Sequence, residues 1–285
     1  MTASHLRPLA IYGGLSLVAV AMGCAVAAAS GVPAGAWLRS PVAWCVGAVA
    51  AAGLAVRAGP RASSALLALT PLGLVASLLN AGQQGVHRWI DAGPLHLNVA
   101  QVLLPAAIVA LAGQSRSWRW LIAALIMALL IAQPDASQAT AFGGALFALL
   151  AVSPLTRGAR LAGMAATGVA IAASWLRPDP LGPVPEVEEI MRLAAELSPL
   201  AAVAAWMALI AAVGSPALMK TAGDGGASRA LCAYAVLSAL MPLIGPFPVP
   251  LVGMAMSPVL GLWLGVGLLA ARARLSTSTP AASGG

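Results

Sequence analysis

Carboxylates crowd one stretch of the chain, which runs Arg177-Pro178-Asp179-Pro180-Leu181-Gly182-Pro183-Val184-Pro185-Glu186-Val187-Glu188-Glu189. Glu186, Glu188 and Glu189 are close enough to raise one another's pKa, and a carboxylate moved toward neutrality suits a general base. The same residues also fit the first turn of a short amphipathic helix within about 177–198. Pro185 suits the first helical position, and acids there complement the helix dipole. Val187, Ile190, Met191, Ala194 and Leu197 share one face, while Glu188, Arg192 and Glu196 run at i, i+4 spacing along another.

Two further segments carry polar residues. In Gly85-Val86-His87-Arg88-Trp89-Ile90-Asp91-Ala92-Gly93, a guanidinium beside an indole could hold a phosphate and a sugar face. His87 and Asp91 flank that pair and count with it as candidate binding residues. An interfacial loop, with Trp in the aromatic belt and a Gly93-Pro94 turn, explains the same residues without a ligand. In Gln133-Pro134-Asp135 an apolar run stops before proline, leaving Asp135 at the water interface as a helix end or as a carboxylate facing a site. His5, His87 and His96 have no metal-binding spacing, and no metal is expected. Cys24, Cys45 and Cys232 are odd in number and form no CxxC, which fits buried thiols better than a disulfide or zinc site.

The elements that must position these groups are membrane helices. Of 285 residues, 60% are hydrophobic and 8% charged, and mean hydropathy is +0.92. So few polar side chains cannot coat a water-soluble domain, and disordered chains are poor in apolar residues. The fold class expected is an all-α polytopic transmembrane bundle of about ten spans, at 8–30, 41–56, 64–81, 98–113, 118–133, 139–155, 159–176, 199–218, 228–245 and 248–271. It forms one domain over 1–275, followed by a disordered cytoplasmic tail at 276–285. The first span reads as an uncleaved helix rather than a signal peptide. With the N-terminus inside, only Arg39, Arg88, Arg177 and Arg192 of the 15 basic residues fall outside, the bias of a correct topology with both termini cytoplasmic. Every acid except Asp224 falls outside. The dispersed arginines argue against nucleic acid as a partner. Gly261-x-x-x-Gly265 permits close helix packing. Charges confined to span ends, and no internal repeat, place a transporter or flippase last.

Together the polar segments resemble the SEDS family, the polytopic peptidoglycan polymerases of bacterial elongation, division and sporulation. Gly85 to Gly93 resembles G-x-x-R-W-[IL]-x-x-G, Gln133-Pro134-Asp135 resembles Q-P-D-x-G-T-A, and Phe247-Pro248-Val249-Pro250-Leu251-Val252 with Ser257 resembles I-P-L-P-F-V-S-Y-G-G-S. The motifs fall in the family's order. F-Q-P-S-E-x-x-K reads Leu97-Asn98-Val99-Ala100-Gln101-Val102-Leu103-Leu104, without its acid and lysine, and S-Y-G-G reads Gly253-Met254-Ala255-Met256. The family's long outer loop ending in P-E-x-H-T-D-F shrinks to Pro185-Glu186 and its neighbours, so Glu188 or Glu189 would replace the aspartate proposed as base.

The resemblance implies an inner-membrane glycosyltransferase of cell-wall synthesis, linked to cell shape or division, acting on an undecaprenyl-diphosphate-linked saccharide. Glu188, Glu189 or Glu186 would act as base, Arg88 would hold the diphosphate, and Trp89, Asp135, His87 and Asp91 would shape the site. It allows a divalent cation on the diphosphate, which no residue pattern signals, and a single-span transpeptidase-like partner. The alternative is a non-catalytic relative that binds the polyprenyl-diphosphate lipid or a partner, consistent with the lost lysine and shortened loop. Arg88, Trp89, Asp135 and the 186–189 carboxylates are expected to converge on one outward-facing cavity.

Overall fold

The computed structural model describes residues 6–93, 95–219 and 225–277. His5, Pro94, Lys220, Asp224 and residues 278–285 of the expected tail lie outside them. Among the described residues, a long helix occupies each span expected from hydropathy: α1 (Arg7–Ala29), α3 (Arg39–Arg57), α4 (Pro60–Leu78), α5 (Val99–Gly113), α6 (Arg119–Ala132), α7 (Ala136–Ala151), α8 (Arg157–Trp175), α11 (Pro199–Gly214), α12 (Gly226–Leu240) and α13 (Met256–Thr277). Short helices α2 (Ala34–Trp37), α9 (Pro185–Glu188) and α10 (Ile190–Leu197) sit between them. Among the described residues six helices are long and apolar enough to cross a membrane, and α5, α6 and α7 are shorter apolar helices. The fold is a polytopic helical bundle.

Local chemistry sets the helix starts. Pro60, Pro185 and Pro199 occupy first helical positions, while Asn98, Asp135, Thr156 and Ser198 accept backbone N–H groups as N-caps. The last span begins at Met256 rather than 248, because Pro248 and Pro250 keep 246–255 out of the helix. At its far end α13 runs through Ser276 and Thr277, which the sequence places in the tail.

One element is not helical. Trp89–Ala92 (β1) and Leu95–Asn98 (β2) form an antiparallel hairpin with Trp89 opposite Asn98 and Asp91 opposite His96. Gly93, at φ 63°, supplies the left-handed backbone of its turn. The sequence predicts an interfacial loop with a turn at Gly93; the alternation in Leu95-His96-Leu97-Asn98 after that turn is the strand signal.

The core centres on α13. Trp263 packs edge-on against Tyr12 (4.9 Å between ring centroids) and Trp44 (5.4 Å). Gly261 lets α13 meet the α5 backbone, since a Cβ there would collide with the Gln101 carbonyl. Gly261→Ala is therefore expected to cost ~1–3 kcal/mol. Gly168→Ala, at a helix position with open space, should be neutral or stabilising by up to ~1 kcal/mol. Thermal unfolding of the two variants in detergent checks the opposite signs.

Charge separates between the ends of the bundle. Asp91, Asp135, Asp179, Glu186, Glu188, Glu189 and Glu196 belong to one end. At the other, Arg274 donates to the Ala55 and Ala58 carbonyls at the close of α3, near Arg57 and Arg61.

Candidate active site at the acidic end

The site is built on two helix caps. Asn98 ends β2 and caps α5, its side chain accepting from Gln101 N at 3.1 Å while its own N–H donates to Ser257 Oγ at the start of α13 (2.9 Å). Asp135 caps α7 and is 1% exposed; its Oδ1 accepts from Ser137 Oγ (2.9 Å) and Gln138 N (3.2 Å), and its Oδ2 from Asn98 Nδ2 (3.3 Å). Two caps required by helix formation thus become a polar network joining three spans.

Arg88, immediately before β1, completes it. Only 5% exposed, it pairs with Asp179 (Nη2 to Oδ2, 2.5 Å), lies 3.8 Å from Asp135 through Nε, and donates to the Pro134 carbonyl. Its guanidinium is 6.0 Å from the Trp89 ring centroid, the outer limit for a cation–π contact. The charge of Arg88 is therefore balanced by two carboxylates of the protein.

Above the caps lies the segment 179–189. The α9 backbone docks on 246–255: Met254 N donates to the Glu186 carbonyl (2.9 Å) and Val249 N to that of Val187 (3.1 Å). Gly253 permits this approach, since a Cβ would strike the Val187 oxygen. Within 177–198 an irregular strap leads into α9 and α10, and α10 is a short helix with one buried apolar face. Glu189, at φ −111° and ψ 16°, breaks the helix between them. The break removes Glu188 from the expected Glu188–Arg192–Glu196 face. Arg192 instead pairs with Glu189 (2.5 Å) and Glu196, whereas Glu188 Oε2 turns back to accept from Val184 N at 2.6 Å. Ile190 and Ala194 are fully buried while Arg192, Ala195, Glu196 and Leu197 are exposed, so α10 lies on the bundle with one face packed into it.

A cavity of about 340 Å³ opens between these elements, lined by Arg88, Trp89, Asp135 and Glu188 among the sequence-predicted residues. The other four are not brought to its wall. Glu186 contributes its backbone, Glu189 faces Arg192, His87 Nδ1 lies 2.9 Å from the Asn80 carbonyl, and Asp91 pairs with His96 at 2.6 Å. Residues not singled out by sequence also line the cavity, notably Arg39, Asn98, Gln101, Ser137 and His96. Asn98 and Gln101 occupy the Q and E positions of F-Q-P-S-E-x-x-K, so their alignment was the available signal.

Burial pushes the Glu188 carboxyl up to about 7; the Val184 N–H pulls the other way, and Glu186 and Glu189 add small upward repulsions. Arg39, at the start of α3, is exposed and makes no ion pair among the described residues. The cavity thus offers a carboxylate titrating near neutrality, an available guanidinium, an indole, and amide and hydroxyl groups. Those groups suit an anionic, hydroxyl-rich ligand. Among the described residues no three His, Cys, Asp or Glu side chains cluster to hold a metal ion.

This combination defines a polytopic helical membrane protein with a polar cavity at one end. The chain resembles the rod shape determining protein RodA of Thermus thermophilus, with a TM-score of 0.67 at 20% identity over 92% of this chain and 95% of that one. A mutant of the same RodA matches at 0.65, again with 20% identity, over 92% and 96%. A chain from a peptidoglycan synthase complex, described in terms of structural coordination of polymerization and crosslinking, matches at 0.66 and 19% identity over 94% and 98%. No family model and no curated protein matches the sequence. The fold is that of the RodA structures.

Proposed function

We propose that this chain is a SEDS-like glycosyltransferase of the bacterial inner membrane, acting in cell-wall synthesis on a polyprenyl-diphosphate-linked saccharide. The observation that carries the reading is Glu188, a carboxylate of raised proton affinity in the same cavity as an unpaired guanidinium. The RodA fold and the ordered motifs supply the chemical context. In the reaction, Glu188 takes the proton of an acceptor hydroxyl as that oxygen bonds to the anomeric carbon. The bond from that carbon to the lipid diphosphate breaks, and the diphosphate leaves with the electron pair. No step here calls on a metal. The acidic end faces outward, with both termini cytoplasmic, in keeping with the arginine distribution. The likeness to a complex coupling polymerization to crosslinking supports a transpeptidase-like partner.

In this reading Arg88 is a structural ion and Arg39 meets the diphosphate. Removing a charge-assisted contact costs ~1.5–3 kcal/mol, roughly ten- to a hundredfold in affinity. Arg39→Gln should weaken binding of undecaprenyl-diphosphate-linked disaccharide by that factor, measured by titration in detergent, with unchanged unfolding temperature. Wild-type affinity in the variant removes Arg39 from the site. One observation favours a second reading, a non-catalytic lipid binder: Leu104, where the family pattern has lysine, is fully buried in the core, leaving the cavity without that cation. Lipid binding without turnover, under any partner condition, would decide for it.

A further inference from the structure

A second cavity lies apart from the polar site. It runs between α6, α7 and α8, has a volume of about 460 Å³, and is walled along α6 from Trp120 through Ala124 and Ala128 to Ile131, facing Gly163 and Ala166 of α8. Eleven residue steps of α6 make it about 17 Å long. Its one hydroxyl, that of Thr167, is satisfied internally, donating to the Gly163 carbonyl at 2.8 Å, and the only other side-chain N or O of the wall is the Trp120 indole nitrogen at one end. Between its ends the wall is hydrocarbon apart from the satisfied Thr167, and the exposed Ala124, Ala128 and Ala166 open it sideways. Close-packed protein interiors do not leave such a volume empty, and an apolar groove facing a bilayer fills with hydrocarbon.

The ends of the groove differ. At the Ile131 end α6 closes at Ala132 and the chain turns into Asp135 of the acidic site. At the Trp120 end, Arg119 stacks over the Trp120 ring at 4.6 Å, and Arg116 and Arg157 are exposed without ion pairs among the described residues. No acid of the described residues belongs to that end. We infer that the groove is a binding site for one acyl chain of an anionic phospholipid, its headgroup held at the arginine end. This goes beyond the proposed glycosyl transfer and shares no lining residue with that cavity.

The probes are dioleoyl phosphatidylglycerol and dioleoyl phosphatidylcholine, offered together to the purified full chain in detergent, with retained lipid read by native mass spectrometry. Two surface arginines predict a roughly thirtyfold preference for the anionic lipid. R116Q/R157Q should abolish the preference while still retaining lipid, and A128L/A166L, which fills the lipid-facing side of the groove, should lose both lipids at an unchanged unfolding temperature. Because Arg116 and Arg157 are exposed and unpaired, their replacement leaves folding intact and keeps the test decisive if A128L/A166L does not fold. Equal retention of the two lipids by wild type overturns the inference. So does a filled groove that keeps its phosphatidylglycerol, or undecaprenyl phosphate displacing phosphatidylglycerol, which would make the groove part of the substrate site.

Discussion

Glu188→Gln is expected to lower glycosyl transfer by ~10²–10⁴-fold while leaving affinity for the lipid-linked saccharide unchanged. The amide keeps the shape of the side chain and cannot take a proton. In the wild type, only the ionised form serves as base, so turnover should rise as pH passes through about 7, where burial places this carboxyl. The linkage to stability has the opposite sense. A carboxyl raised in the folded state stabilises the fold while it is protonated. That contribution is complete below the ordinary value of 4.5 and is lost as pH rises through about 7. Glu188→Gln should therefore flatten the unfolding temperature across that window while it removes activity. Glu189→Gln breaks only a partly exposed pair with Arg192 and should cost no more than ~1 kcal/mol, with turnover intact. A Glu188→Gln protein that turns over normally, with Glu189→Gln inactive, would transfer the base to the neighbouring residue.

Arg88→Ala is expected to be the most destabilising single change at the site, by ~3–5 kcal/mol, because it strands Asp135, only 1% exposed, beside an emptied cavity wall. Arg88→Lys should recover only part of the loss. An ammonium cannot span the Asp179 carboxylate, the Pro134 carbonyl and the Asp135 edge as the guanidinium fork does. Neutralising the stranded acid should help, so the double variant Arg88→Met with Asp135→Asn is expected to be more stable than Arg88→Met alone. Thermal unfolding in detergent measures all three. Were Arg88→Ala to unfold with the wild type and merely weaken lipid binding, Arg88 would be the diphosphate ligand and the ion network incidental.

Much of this architecture is legible in the sequence, because lipid forces backbone hydrogen bonds inside each segment and so makes hydropathy a guide to helices. Proline and cap chemistry explain the exceptions. The third motif looks like part of the last span until Pro248 and Pro250 are recognised as breaks, and α7 starts at Ala136 because Asp135 caps it. The site was only partly legible. Shared side and motif order single out Arg88, Trp89, Asp135 and Glu188, which line one cavity. Sequence cannot show that Asp179, ninety-one residues from Arg88, neutralises it, and so cannot tell a structural arginine from an available one. Arg39 looked like an ordinary flanking charge for the same reason. The turn of Glu188 away from Arg192 depends on a helix break at Glu189 that no propensity marks.

Glycosyl transfer from a polyprenyl diphosphate in the acidic-end cavity is the reaction to be observed. It is tested most directly by incubating the purified full chain with undecaprenyl-diphosphate-linked disaccharide, alone and with a transpeptidase-like partner, and following both products. Saccharide polymer and free undecaprenyl diphosphate should appear together, in wild type and not in Glu188→Gln. Lipid that binds and stays intact under both conditions, in a protein that unfolds normally, would contradict it.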